Sequence, residues 1–160
     1  MSTDHRTLKA FHIADEFVVR VYASTQTFHA DERFGMRSQI RRAAVSIPTN
    51  IVEGCARDSD REHLRYYEIA LGSARETIYL LGLAGRLELM DRSVAEELGA
   101  IGDRLAGALG ALRKSISQAL ELEAAGPRTQ DPGLKTQDSR LKTQDSRPKT
   151  QDPRLKTEHP

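Results

Sequence analysis

Apolar residues recur at spacings of three and four along the first 125 positions of the chain, and this is the period of amphipathic helices. Four stretches carry the pattern, at about 10–27, 31–54 and 59–89 and from Asp91 or Ser93 to about 123. In the fourth stretch the apolar positions follow a near-heptad order, which is typical of left-handed bundles. No stretch alternates with period two for long enough to indicate a strand. The sequence therefore predicts an all-α fold, an antiparallel up-down four-helix bundle.

Cap residues predict where these helices begin and end. Asp31 offers a side-chain acceptor for the start of helix two, and Ser59 begins a capping-box pattern for helix three. Gly54 suits the end of helix two, where a left-handed residue is least strained as glycine. Helix three is expected to fray through residues 82–85 and to end near Leu89.

Two residues inside the predicted helices are unfavourable there. Pro48 removes one backbone hydrogen bond from helix two. Because the apolar stripe resumes at Ile51, Pro48 predicts a kink rather than a stop. Gly72, in the run of small residues 72–74, costs helix three about 1 kcal/mol relative to alanine. We expect a close approach of another helix to compensate for this glycine.

A change of composition at Gly126 divides the chain. Within residues 126–160 a seven-residue unit repeats as TQDPGLK, TQDSRLK, TQDSRPK and TQDPRLK. Each unit has at most one apolar residue where a coiled-coil seam needs two, and prolines interrupt the series. The pattern predicts a disordered low-complexity tail, and a basic tether for RNA or partner proteins is the alternative. Residues 1–125 are then the four-helix-bundle domain.

Charge and cysteine content narrow the possible partners. Residues 1–125 hold 16 Lys and Arg against 18 Asp and Glu, a net charge of −2, and the tail holds 8 against 5, a net charge of +3. A nearly neutral domain disfavours nucleic-acid binding over its whole surface, but a local basic patch is compatible with this charge. The single Cys55 excludes an intrachain disulfide and a cysteine-based metal cluster. No apolar run is long enough to span a bilayer. We expect a cytoplasmic protein with no membrane partner.

No group of residues indicates an enzyme. The five histidines are scattered, and the sequence has no HExxH motif and no glycine-rich phosphate loop. Adjacent acids such as Asp15 and Glu16 point to different sides of a helix. Cys55 has no helix N-terminus in front of it that would activate its thiol, so a packed cysteine is expected. We predict no catalytic residue, no cofactor and no metal site.

Helix two carries the candidate binding residues. Arg33, Arg37 and Arg41 follow one another at i, i+4 and i+8 and so line one face, from which Arg42 is turned by about 100°. This face either contacts phosphates, or it is solvated or paired with acids of a neighbouring helix or subunit. A structural role is expected for a second set, in which Arg and Asn satisfy carbonyls freed by the proline and Glu53 neutralises an arginine. The second set comprises Arg42, Ser46, Pro48, Asn50, Glu53, Gly54 and Arg57.

The run QIRRAAVSIPTNIVEGCAR at residues 39–57, followed by YYEIALGSARET, resembles a family of small bacterial four-helix bundles. This family includes proteins encoded in intervening sequences of 23S rRNA genes. The resemblance covers about residues 7–122, and this chain departs from the usual pattern at Phe11, His29 and Val52, where the family has Trp, Pro and Ala. The shared positions are Gln39, Arg41, Arg42, Ala43, Ser46, Ile47, Pro48, Asn50, Ile51, Glu53, Gly54, Arg57, Ala70, Gly72, Ser73 and Glu76.

The resemblance implies a homo-oligomeric ring, typically of five subunits, and it does not imply an enzyme. One relative, the accessory variability protein of diversity-generating retroelements, forms such a ring and binds nucleic acid and a reverse transcriptase through basic surface residues. The leading expectation is therefore a homopentamer with an assembly or scaffolding role. The alternative is an accessory protein that binds RNA or DNA, and a reverse transcriptase or another protein, through Arg33, Arg37 and Arg41.

Overall fold

The structure is a computed structural model that describes residues 4–125. The chain forms four α-helices, α1 (Lys9–Ser24), α2 (Met36–Cys55), α3 (Asp60–Arg86) and α4 (Arg92–Ala125). Short 3-10 helices cover His5–Thr7 and Ala30–Arg33, and the described part of the chain contains no strand. The four predicted helices are confirmed, whereas the expectations for the tail lie outside the described residues.

The helices occupy the corners of a square. α1 and α3 each pack against both α2 and α4, while the diagonal pairs make no backbone contact within residues 4–125. Arg20, near the end of α1, meets Glu97, near the start of α4. Gly85, near the end of α3, lies against Ala95 in α4. Neighbouring helices are therefore antiparallel, which confirms the up-down arrangement.

The apolar stripes of the four helices meet in one core. Replacing a buried Leu or Ile of such a core with Ala typically costs about 2–5 kcal/mol of unfolding free energy. The largest fully buried apolar side chains are Phe17, Val21, Ile40, Ile47, Ile51, Leu81, Leu105 and Leu109. α4 has 34 residues and α1 has 16, so α4 continues past the N-terminus of α1 and is less covered there. Leu122 in this last part of α4 is 75% exposed.

The two predicted helix starts have different outcomes. α3 begins as predicted, because Ser59 Oγ accepts a hydrogen bond from the N–H of Glu62 at 3.3 Å. α2 begins later than predicted, since residues 30–33 form a separate 3-10 helix. Asp31 is therefore not its cap. Instead, the Glu32 carboxylate accepts from the N–H of Met36 at 2.8 Å, so the next acid along the chain provides the cap.

The expected left-handed conformation of Gly54 is wrong. Gly54 lies inside α2, which continues to Cys55. A Cβ at this position would lie 3.1 Å from the Cβ of Tyr66 and 3.2 Å from a ring carbon of Tyr67. Glycine at this position therefore allows α3 to pack closely on α2, and the backbone does not turn here.

Both expectations for the small residues of α3 also need correction. A Cβ on Gly72 would meet no atom of residues 4–125 within 4 Å, and Ser73 makes the contact with α2 instead. α3 does not fray through residues 82–85 but continues to Arg86. One of the glycines in this stretch, Gly85, lies where α3 packs closely on α4, because a Cβ there would lie 3.0 Å from the Cβ of Ala95.

Candidate nucleic-acid interface

The predicted arginines meet in one surface cleft where the end of α1 packs beside the first half of α2. This cleft, which we call the arginine cleft, has a volume of 490 Å³. It is lined by Tyr22, Arg33, Arg37, Ser38, Arg41, Arg42 and Val45. Arg33 belongs to the 3-10 helix rather than to α2, so the three arginines do not lie on one continuous helix as predicted. They nevertheless face the same space. No acidic side chain is among the lining residues, so the charges of the lining itself are all positive.

Arg41 differs from the other arginines of the cleft because it joins α2 to the end of α1. Its Nε donates to Thr25 Oγ1 at 2.8 Å, and its Nη2 donates to the carbonyl oxygen of Tyr22 at 3.0 Å. Its guanidinium also lies over the Tyr22 ring, 4.5 Å from the ring centroid. The last carbonyls of a helix have no partner within the helix, so Arg41 acts as a side-chain cap for α1.

The remaining arginines of the cleft are more open. Arg33 and Arg42 are exposed and Arg37 is half-buried. The guanidinium of Arg33 lies 5.4 Å from the ring centroid of its neighbour Phe34. Arg42 donates to the Gln39 side-chain oxygen at 3.2 Å. None of the ion pairs found within residues 4–125 includes an arginine of the cleft. Donors of these arginines are therefore available to an anion from outside the subunit.

The residues around Pro48 form a polar link between α2 and α3. α2 is continuous through Pro48, which confirms that the proline does not end the helix. Asn50 Nδ2 donates to the carbonyl oxygen of Ser46 at 2.7 Å and to its Oγ at 3.0 Å. The Ser46 and Ser73 hydroxyls lie 2.9 Å apart. Asn50 thus bonds to Ser46 and fixes the hydroxyl that contacts α3. The carbonyl that Pro48 leaves without its backbone donor is that of Ala44, so the predicted role of Asn50 is wrong.

Two other residues of the predicted structural set lie toward the end of α2. Glu53 is exposed, and it is not in any ion pair formed within residues 4–125. The guanidinium of Arg57 lies 4.9 Å from the centroid of the Tyr66 ring. The buried Nε of Arg57 has no hydrogen-bond partner among the described residues. Arg57 is therefore held mainly by packing on the aromatic ring.

A buried polar cluster at the turn from α2 to α3 was not predicted from the sequence. His63 Nε2 lies 2.8 Å from the carbonyl oxygen of Arg57 and so ties the first turn of α3 to the preceding loop. Cys55 Sγ lies 3.3 Å from the Tyr67 hydroxyl. Burial, and then the hydrogen bond with Cys55, raises the pKa of Tyr67 above its ordinary value, so its hydroxyl stays neutral. The spacing of four between His63 and Tyr67 was the available signal, since it places both on one helix face.

Within residues 4–125, no group of three or more His, Cys, Asp and Glu side chains is arranged to hold a metal ion. None of the helices in this part of the chain combines the length and the apolar character needed to cross a membrane. The fold and the cleft together define a small antiparallel four-helix bundle with a local arginine-rich surface.

Comparison with known proteins identifies the family. The model of the 23S rRNA-intervening sequence protein family matches residues 6–111, and the chain belongs to this family. It is also similar to the crystal structure of a protein of unknown function from the S23 ribosomal protein family of Bacteroides thetaiotaomicron, with 29% identity and a TM-score of 0.60. That match covers 66% of this chain and 98% of the other. Among curated proteins, none matches the chain. The further likeness to the accessory variability protein stays a prediction.

Proposed function

We propose that this protein is a non-catalytic homo-oligomeric bundle, a ring of five subunits, with an assembly or scaffolding role in the cytoplasm. The observation that supports it is an open apolar groove of 720 Å³ between α1 and α4. Its apolar lining consists of Leu8, Ala10, Ile13, Ala108, Ala111 and Leu112, and Lys9, Glu16 and Arg104 complete it.

This groove favours a second copy of the chain as its partner. Contiguous apolar surface on a folded domain commonly marks an interaction site. The alanines of α4 allow a neighbouring helix to approach closely, and the exposed Leu122 adds apolar surface further along the same helix. A contact between two different surface patches, repeated from subunit to subunit, closes into a ring when the rotation allows it.

Light scattering at micromolar protein concentrations tests this proposal. We expect the mass of five chains for the wild type. Ala111→Glu places a charge in the groove and should lower the mass, since an unpaired charge is costly to bury. The matched control Ala23→Glu makes the same change at an exposed position of α1 and should keep the wild-type mass. A monomer mass for the wild type would end the proposal.

A second candidate function is nucleic-acid binding, and the arginine cleft favours it. Four arginines line one surface without an acid, although residues 1–125 carry a net charge of −2. Arginine suits phosphate because its planar guanidinium donates to two oxygens at once. A ring would repeat the cleft in every subunit, so that several weak contacts act together.

Titration with oligonucleotides at several salt concentrations tests this second function. Each phosphate contact contributes a slope of about −0.7 on single strands, so Arg33→Gln combined with Arg37→Gln should flatten the salt dependence by about 1.4. Arg41 is left in place because it caps α1. The matched control is Arg75→Gln combined with Arg86→Gln, two exposed arginines of α3. Loss of the oligomer in the first variant would show that its arginines pair across a subunit contact instead.

A further inference from the structure

Phe34 is not itself a lining residue of the arginine cleft, but it directly follows Arg33, which is one, and its ring is exposed to solvent. Its side chain is 88% exposed, more than any other large apolar side chain of residues 4–125. The residue follows the 3-10 helix Ala30–Arg33 directly and is its C-cap, with its N–H bonded to the carbonyl oxygen of Glu32. The backbone that carries the ring is therefore held by hydrogen bonding, while the ring contributes almost nothing to the core.

One arginine lies beside this ring, and most of the residue's surface is exposed to solvent. Arg33, which lines the cleft, lies 5.4 Å from the Phe34 ring centroid. Tyr22 contributes an aromatic ring to the cleft wall and is 42% exposed, with Arg41 over the ring. Basic grooves with interspersed aromatic rings are how proteins bind single strands, since arginines track phosphates and rings stack on bases.

We propose that the arginine cleft binds single-stranded nucleic acid, with one base stacked on Phe34 and phosphates on Arg33, Arg37 and Arg42. This inference rests on the second candidate function and adds the strand form to it. In a duplex the base faces are already stacked on each other, so no base face is free to stack on Phe34. The phosphates of a duplex would still attract the arginines.

Three oligonucleotide probes of equal length separate stacking from phosphate contacts. They are a mixed-sequence single strand, the corresponding duplex, and an abasic strand that keeps its phosphates. The single strand is prepared as both RNA and DNA, and binding to the full chain is measured by fluorescence anisotropy. We expect the mixed single strand to bind on the order of tenfold more tightly than the abasic strand, because stacking on one aromatic side chain has about this effect.

Phe34→Leu keeps an apolar side chain and removes the ring. We expect this variant to lose on the order of tenfold in affinity for the mixed single strand, with no change for the abasic strand or the duplex. Its salt slope should equal that of the wild type, since no phosphate contact is lost. Tyr79→Leu is the matched control, because Tyr79 is an aromatic residue of α3 that is 61% exposed outside the cleft.

Each other outcome overturns the inference in a recognisable way. If Phe34→Leu binds all three probes like the wild type, or weakens all three equally, stacking is wrong while the arginine cleft still stands. If Phe34→Leu changes the mass in light scattering, the ring is a subunit contact. If a polyglutamate of equal charge competes as well as the single strand, the site recognises acidic protein. If the wild type binds no probe at low salt, both the second candidate function and this inference are wrong.

Discussion

Among single residues, Arg41 has the clearest structural role in the cleft. It donates to Thr25 and to the last turn of α1 through two hydrogen bonds. Hydrogen bonds from charged groups are worth more than neutral ones, but this side chain is only half-buried, so solvent weakens them. Arg41→Gln should therefore lower the unfolding free energy by about 1 kcal/mol. Arg37→Gln, one turn away, should leave it within about 0.5 kcal/mol.

Chemical denaturation at one fixed protein concentration measures both changes. The fixed concentration matters because an oligomer gains stability with concentration. Equal losses for the two variants, or no loss in Arg41→Gln, would contradict the capping role of Arg41.

Glu88 is the one non-glycine residue of 4–125 with a left-handed backbone, at φ 58°. The N–H of Leu89 bonds to the carbonyl oxygen of Ala84 at 3.0 Å, and the N–H of Glu88 to that of Gly85 at 3.3 Å. These two bonds form a Schellman motif, in which this position usually holds glycine. Glu88→Gly should raise the unfolding free energy by about 0.5–1 kcal/mol, because the strain relieved exceeds the entropy that glycine adds to the unfolded chain.

The control for this change is Glu88→Ala. It removes the same carboxylate from the C-terminal end of α3 but keeps a Cβ in the left-handed region. Thermal unfolding should place Glu88→Gly clearly above Glu88→Ala, by about 2–4 °C. A larger gain for alanine would show that the charge, not the backbone, limits stability here.

Residue spacing predicted which arginines share a helix face, but it could not predict their partners on other elements, because these depend on tertiary packing. The interval of four placed Arg37 and Arg41 on the same face, and the structure puts both in one cleft. The partner of Arg41 depends on how far α1 slides along α2, which is a tertiary property. The contact between His63 and the carbonyl of Arg57 depends likewise on the shape of a loop.

Between elements, glycines decide how closely the helices pack. Gly102 of α4 faces the core, where a Cβ would lie 2.5 Å from Cγ1 of Ile78 and 3.3 Å from a ring carbon of Phe17. Gly107 of the same helix has no atom of residues 4–125 within 4 Å of the corresponding point. Gly102→Ala should therefore destabilise the fold by roughly 1–2 kcal/mol, since overpacking exceeds the gain in helix propensity.

Gly107→Ala is the matched experiment on the same helix. It should stabilise the fold by about 1 kcal/mol, because the change improves helix propensity without a clash. Denaturant midpoints of the two variants should move in opposite directions. A loss of stability in Gly107→Ala would mean that another subunit covers this part of α4.

The apolar period also determines which glycines face the core and which face outward. Gly54 follows Ile47 by seven residues and Ile51 by three, so it lies in the buried stripe of α2 and close packing could have been predicted. Gly72 is turned by about 100° from the buried Leu71, so an outward position could also have been predicted. The helices themselves were predictable because burial of one stripe imposes the period on the whole element. The ends of the helices depend on single hydrogen bonds, such as the one that Glu32 accepts from Met36. The observed ends therefore differ from the predicted ones.

For the whole molecule, net charge conceals a local separation of charge. Residues 1–125 carry −2 and residues 126–160 carry +3, yet four of the domain's arginines line one cleft without an acid. Two parts of the chain can therefore attract nucleic acid, the cleft and the tail. Their contributions are separable, because the tail's composition offers almost nothing to a hydrophobic core.

A chain that ends at residue 126 should unfold at the same temperature as the full chain. If the cleft is the binding site, it should also show the same salt slope with a single-stranded oligonucleotide, whereas Arg33→Gln with Arg37→Gln should flatten that slope in both lengths of chain. If the tail is a basic tether, the truncation alone should flatten the slope and the arginine variants should not. A drop of several degrees in the shortened chain corresponds to roughly 1 kcal/mol and would contradict the predicted boundary of the domain. One set of four proteins, measured by thermal unfolding and by titration at low and high salt, distinguishes these outcomes.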